Sequence, residues 1–226
     1  MSTTGCGTCG LFQGTRNGGG IGLSDGFFSR GFHGRRPAAG SAGRIPPGQY
    51  LERGFPVLTA GPTPRVPLDR WDFRVVGPDG AERDRWTWEQ FSALPHQEVT
   101  CDIHCVTQWS KLDTRWRGVP VDALLGELPE SARYVVAFCD GGYTTNLPIE
   151  AVTGGKAWVT DVYEGEPLPA EHGGPARLLV PALYLWKSAK WVRGLRLATG
   201  DEPGFWERRG YHNYGDPWKE QRYWND

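Results

Sequence analysis

Apolar and polar residues alternate with a period of two through "WDFRVVG" (71–77), and the chain then turns at "PDG", which predicts a strand closed by a turn. "TWEQFSALP" (87–95) reads as a short helix with Thr87 as its N-cap. "QEVTCDIHC" (97–105) places Val99, Cys101 and Ile103 on one face of a strand whose last residue, Cys105, passes into a loop. "VPVDALLGEL" (119–128) has the spacing of an amphipathic helix, and "RYVVAFCD" (133–140) reads as a short buried strand. "TNLPIEAV" (145–152) is a further helix candidate. "AWVTDVYEGEPLP" (157–169) and "ARLLVPALY" (176–184) predict strands around a glycine-rich corner, and "WVRGLRLAT" (191–199) predicts one more. No internal repeat is visible. The pattern as a whole is that of a mixed α+β domain.

Two stretches fall outside that pattern. Thirteen of the 32 glycines lie in residues 1–43, and no tryptophan precedes Trp71. Such a segment cannot bury enough apolar surface to offset its ordering entropy, so a disordered Gly-rich tail is expected there. Its "CGTCG" pairs Cys6 with Cys9, but structural zinc needs four ligands and no second pair lies nearby. Residues 44–67 are punctuated by proline and read as an extended strap over the domain that fills 44–226.

Composition narrows the class. The formal net charge is −1, so no global field favours nucleic acid or an anionic membrane, and a bound anion needs a local cluster. No stretch has the length of about 20 apolar residues that a spanning helix requires. Arg35 and Arg36 are followed by "PAAGSAGRIPPG" and not by the apolar run of an export signal. Five cysteines without such a signal fit a reducing compartment, so a cytoplasmic location is expected.

The chemistry-bearing residues admit several readings. In "CDIHC", His104 and Cys105 are neighbours that a strand points to opposite faces, which suits a Cys–His nucleophile poorly. Zinc held by Cys101, His104 and Cys105 lacks both the CxxC spacing and an obvious fourth ligand. Cys101 and Cys139 read more simply as small core hydrophobes. "AEHGGPARLLVP" and "LWKSAKWVRG" bring His172, Arg177, Lys187, Lys190 and Arg193 around a Gly-Gly-Pro corner. Glycine admits close backbone approach, and Arg with Lys supplies charge-assisted bonds to phosphate. Solvated strand ends explain the same residue types, and the two readings stand side by side.

"CDIHCVTQWSKLDTRWRGVPV", "FCDGGYTTNLP", "EHGGPARLLVPALYLWKSAKWVRGL" and "EPGFWERRGYHNYGDPWKEQRYW" together resemble the molybdopterin-binding domain of the sulfite oxidase family, most of all its short bacterial oxidoreductases. The resemblance implies a mixed, mainly β fold with short helices over 44–226. It implies a molybdenum enzyme transferring an oxygen atom, with two electrons, to or from a small oxo-acid or S-oxide. The alternatives are a binding protein that keeps the fold, with or without the cofactor, and lacks turnover, or a reductase of protein or small-molecule S-oxides. The expected cofactors are molybdenum and molybdopterin, without haem. Cys105 matches the family's metal thiolate. His172, Arg177, Ser188, Ala189 and Lys190 match the residues that hold the pterin phosphate. Asp140 matches a pterin contact, and the strap near Phe55 is expected at the cofactor. The expected partners are a small-molecule substrate and a separate electron carrier. Animal relatives carry an arginine soon after the ligand cysteine; here the sequence is "QWSK", and Lys111 is the substitute it offers.

Overall fold

The computed structural model describes residues 43–226. The tail expected over 1–43, with Cys6 and Cys9, lies outside them but for its last residue. Among the described residues eleven strands form two sheets, with three α-helices of one turn or slightly more between them. In the first sheet, β1 (Tyr50–Leu51) lies parallel beside β5 (Trp109–Pro120); β4 (Gln97–His104) also pairs with β5. The sheet continues through β8 (Trp158–Tyr163) to β10 (Arg177–Leu179), and β9 (Glu166–Pro167) folds back on β8. The second sheet has the order β3 (Glu82–Thr87), β2 (Asp72–Val76), β11 (Val192–Ala198), β6 (Tyr134–Cys139), β7 (Thr144–Pro148).

The main core packs Trp71, Phe73, Leu124, Val135, Leu178 and Leu195 with their neighbours. A smaller cluster, Ile103, Cys105, Trp109, Trp116, Leu168 and Leu179, lies behind the candidate site. Cys101 packs at the edge of this second cluster, as a small hydrophobe on β4 would.

The helix α1 (Trp88–Ser92) forms where expected. The Thr87 hydroxyl accepts from the Gln90 amide, and the Gln90 side chain accepts from the Thr87 amide. Three expectations are corrected. Residues 145–148 are not helical: they belong to β7, which pairs with β6 in the register Ala137 to Thr145 and Val135 to Leu147. Ladder bonds and the burial of Leu147 at a period-two position outweigh local helix spacing, so only Ile149–Val152 (α3) is helical. The helix over 119–128 shrinks to α2 (Val121–Leu125), because Val119 and Pro120 end β5 and Gly126 leaves helical space at φ 57°. The strand over 176–184 stops at Leu179; the next amide, Val180, donates to the Ser188 hydroxyl at 2.9 Å.

Candidate active site

Cys105 sits in the turn that joins β4 to β5. Its amide donates to the Trp109 carbonyl at 2.8 Å, and the Gln108 amide returns to its carbonyl at 3.0 Å. Gln108 closes the turn at φ 72°, a left-handed conformation that a polar side chain tolerates better than a branched one. The thiol is 6% exposed, and the Thr107 hydroxyl donates to its sulfur at 3.1 Å. Burial pushes the Cys105 pKa up, while the Thr107 donation and the charge of Arg177 pull it back.

The corner before β10 is built around Gly173 at φ 112°. A Cβ there would stand 3.0 Å from the Cβ atoms of both Arg177 and Lys190, so only glycine lets these two cations close on the corner. The Arg177 guanidinium is 3% exposed and donates to the carbonyls of His172 at 3.0 Å and Ser188 at 2.7 Å; its Nε has no partner. Among the described residues no carboxylate lies within ion-pair reach of it. Burial pushes its pKa down to about 10. The Lys190 ammonium donates to the carbonyls of Leu58 and Glu171, both at 2.8 Å, and burial, with the Arg177 charge, pushes its pKa down to about 8. His172 is lowered by burial and then by Arg177, and its ring stacks on Phe55 at 4.0 Å.

A cavity of about 560 Å³ opens between these groups. Cys105, Asp140, His172, Arg177, Ser188, Ala189 and Lys190 all line it, and so do Phe55 and Leu58 of the strap. These residues come from five separate parts of the sequence, and the fold brings all of them to one cavity. The Ser188 hydroxyl is occupied by the Val180 amide, so this residue presents backbone to Arg177.

Two members of the basic cluster are corrected. Lys187 is fully buried against Glu207 at 2.6 Å and does not line the cavity. Arg193 is bound to the Asp72 carboxylate and reaches Asp140 at 3.4 Å, which neutralises Asp140 at the cavity edge. Lys111 does not line the cavity either; its ammonium donates to the Arg53 carbonyl at 2.5 Å. His104 turns away to the Ser110 hydroxyl at 2.8 Å, and burial lowers its pKa to about 4. No cluster of three or more His, Cys, Asp and Glu is placed for a metal among the described residues. Sequence reasoning missed the aromatic wall of Tyr143, Trp186, Phe205, Trp206 and Tyr211. Its only signal was the aromatic density of "GFWERRGY", which no periodicity distinguishes from core.

The family described as "Oxidoreductase molybdopterin binding domain" matches residues 60–206, and the chain belongs to that family, which is of the sulfite oxidase type. It is therefore an oxidoreductase whose domain implies a molybdenum cofactor. The chain is 40% identical over 195 residues to the uncharacterized oxidoreductase YuiH of Bacillus subtilis (strain 168), covering 85% of this chain and 98% of YuiH. Against mitochondrial sulfite oxidase of Rattus norvegicus it is 24% identical, over 68% of this chain and only 34% of that protein. The sulfane dehydrogenase SoxCD of Paracoccus pantotrophus shares the fold, with a TM-score of 0.56 at 20% identity, over 66% of this chain and 42% of that one. No helix among the described residues is long and apolar enough to cross a membrane.

Proposed function

We propose that the chain catalyses two-electron oxygen-atom transfer to or from a small oxo-acid or S-oxide, with Cys105 ligating molybdenum and the basic corner holding molybdopterin. The carrying observation is one buried thiol in the same cavity as a buried arginine that no carboxylate among the described residues neutralises. A buried cation without a counter-charge is costly, and a dianionic phosphate relieves that cost. A soft thiolate also suits molybdenum, so the residues present fit the cofactor. When bound, the cofactor supplies a two-electron centre that exchanges an oxygen atom with substrate.

Each residue then has a definite task. The Arg177 charge and the Thr107 hydroxyl favour the thiolate of Cys105 against the opposing effect of burial. Arg177, Lys190 and His172 hold the phosphate, with the backbone of Ser188 and Ala189 beside them. Asp140, on its short 3-10 turn, contacts the pterin, and Phe55 closes the strap over His172. Electrons pass to a separate carrier.

Charge favours the S-oxide over sulfite. Once the phosphate occupies Arg177 and Lys190, no other Lys or Arg lines the cavity among the described residues. A neutral sulfoxide suits an aromatic wall, whereas a buried sulfite would lack cationic partners. The test is molybdenum and pterin content of protein made in a host that synthesises the cofactor, followed by turnover. We expect about one molybdenum per chain and reduction of dimethyl sulfoxide by reduced viologen in preference to sulfite oxidation. Cys105→Ser should abolish turnover, whereas Cys101→Ser should cost only stability. A loaded protein inactive on both substrates would instead be a binding protein.

A further inference from the structure

Lys187 and Glu207 are absorbed by neither the cofactor cradle nor the lining of the cavity, yet both side chains are 0% exposed and stand 2.6 Å apart. Their bonding is directional. The Lys187 ammonium donates to Glu207 Oε1, to the Asn146 carbonyl at 2.7 Å and to Asn146 Oδ1 at 3.1 Å, which accounts for all three of its hydrogens. Glu207 Oε1 also accepts from the Thr145 hydroxyl at 2.8 Å and from the indole nitrogen of Trp186 at 2.9 Å.

A buried ion pair is a weak stabiliser compared with well-packed apolar side chains, so the convergence of three donors on Glu207 Oε1, while Oε2 has no partner among the described residues, points to a geometric purpose. What the pair fixes is visible. Trp186 and Lys187, adjacent in sequence, converge on the same carboxylate oxygen. Trp186 is an aromatic of the cavity wall and meets Tyr211 edge to face at 5.2 Å. Ser188, the next residue, gives its carbonyl to Arg177. The turn 186–190 is thus pinned on one side to Glu207 and on the other to the basic corner. Glu207 also leads the 3-10 turn between the wall residues Trp206 and Tyr211. Gly204 keeps the carboxylate close to β7, because a Cβ there would stand 2.7 Å from Glu207 Oε2 and 2.4 Å from the Thr144 carbonyl.

We infer that Glu207, held by Lys187, is a positioning residue that sets the Trp186 indole in the substrate-facing wall and locks that wall to the turn bearing Ser188, Ala189 and Lys190. Its effect on substrate rests on the function proposed above; its effect on the Trp186 indole does not. Glu207→Gln keeps the size and an acceptor oxygen but removes the charge, and Trp186→Phe removes the indole donor and part of the ring while leaving the pair intact.

The first measurement is independent of turnover. The indole N–H resonance of Trp186, assigned by its loss in Trp186→Phe, should move in Glu207→Gln, and amide exchange should accelerate together across 184–190 and 204–211. The second uses loaded enzyme, dimethyl sulfoxide as oxygen donor and reduced benzyl viologen as reductant: the sulfoxide takes two electrons and two protons and yields the sulfide and water. Both variants should raise KM by roughly tenfold with kcat changed less than about threefold and with cofactor content unchanged, the signature of lost substrate placement. Glu207→Gln should lower the melting temperature more than Trp186→Phe, because it also leaves Lys187 buried without its counter-charge. An unmoved indole resonance with unaccelerated exchange overturns the positioning role. Wild-type KM in both variants overturns its link to substrate. A loaded wild type without turnover contradicts the proposed function and leaves the resonance arm to decide the inference.

Discussion

Four basic side chains lie within a short stretch of sequence around the glycine corner, and the fold divides them into two pairs with opposite fates. Lys187 and Arg193 each find a carboxylate, Glu207 for one and Asp72 with Asp140 for the other. Among the described residues Arg177 and Lys190 hydrogen-bond only to carbonyl oxygens, at 2.7–3.0 Å. The first pair is electrically complete within the chain. The second retains net positive charge in a cavity, and desolvation shows in the lowered pKa values of both groups. Residue type does not decide which cation can serve an anion. What decides is whether the fold has already supplied the counter-charge.

The sharpest way to break this comparison is to neutralise one member of each pair with a side chain of similar length. Lys187→Met leaves the Glu207 carboxylate buried without its cation, a loss of about 3–5 kcal/mol, and the melting temperature should fall accordingly. Arg177→Met should leave the apo-protein much closer to wild-type stability, because no carboxylate is stranded, but should strip the cofactor. Losing charge-assisted bonds of about 1.5–3 kcal/mol corresponds to roughly 10- to 150-fold weaker phosphate binding. Molybdenum and pterin content beside thermal denaturation of each variant checks both halves. Equal stability losses with equal cofactor occupancy would erase the distinction. Arg177→Lys is the smaller step: charge returns without the guanidinium fork, so occupancy should recover only in part.

The same division marks what the sequence could disclose. β4 was readable because Val99, Cys101 and Ile103 repeat with period two, and its end at Cys105 followed from that reading. The twelve-residue β5 was not, since "WSKLDTRWRGVP" breaks its alternation with a positive-φ residue, Asp113, and with bulged pairing against β4 and β8. β3 was hidden for another reason. It is a charged edge strand, exposed along "ERDR", a composition that protects an edge but resembles a loop. Helix spacing over 145–152 misled because strand pairing with β6 is a non-local term. At the site, Arg177 and Lys190 were legible as basic residues beside a glycine corner. Lys187 was indistinguishable from Lys190 because its partner, Glu207, lies 20 positions away in sequence.

The smallest expected effect is a pH dependence of anion binding carried by Lys190. The Lys190 pKa is lowered to about 8 from an ordinary 10.5. Between those values the unfolded chain holds a proton that the folded apo-protein has released, so this group makes apo-protein stability rise with pH across that window. Anion binding must run the other way. Two of the ammonium hydrogens are taken by the Leu58 and Glu171 carbonyls, and the third can meet a phosphate oxygen only while the group is charged. A simple phosphate monoester, with its second ionisation near about 6, is already dianionic above neutrality, so it contributes no further titration. Its affinity for apo-protein should therefore fall severalfold between pH 7 and pH 9, by calorimetric titration. Lys190→Ala should bind more weakly at pH 7 and lose the slope. Lys190→Arg, whose guanidinium stays protonated, should keep a flat profile at the higher affinity. A slope that persists unchanged in Lys190→Ala would place the titrating group elsewhere and remove Lys190 from the phosphate.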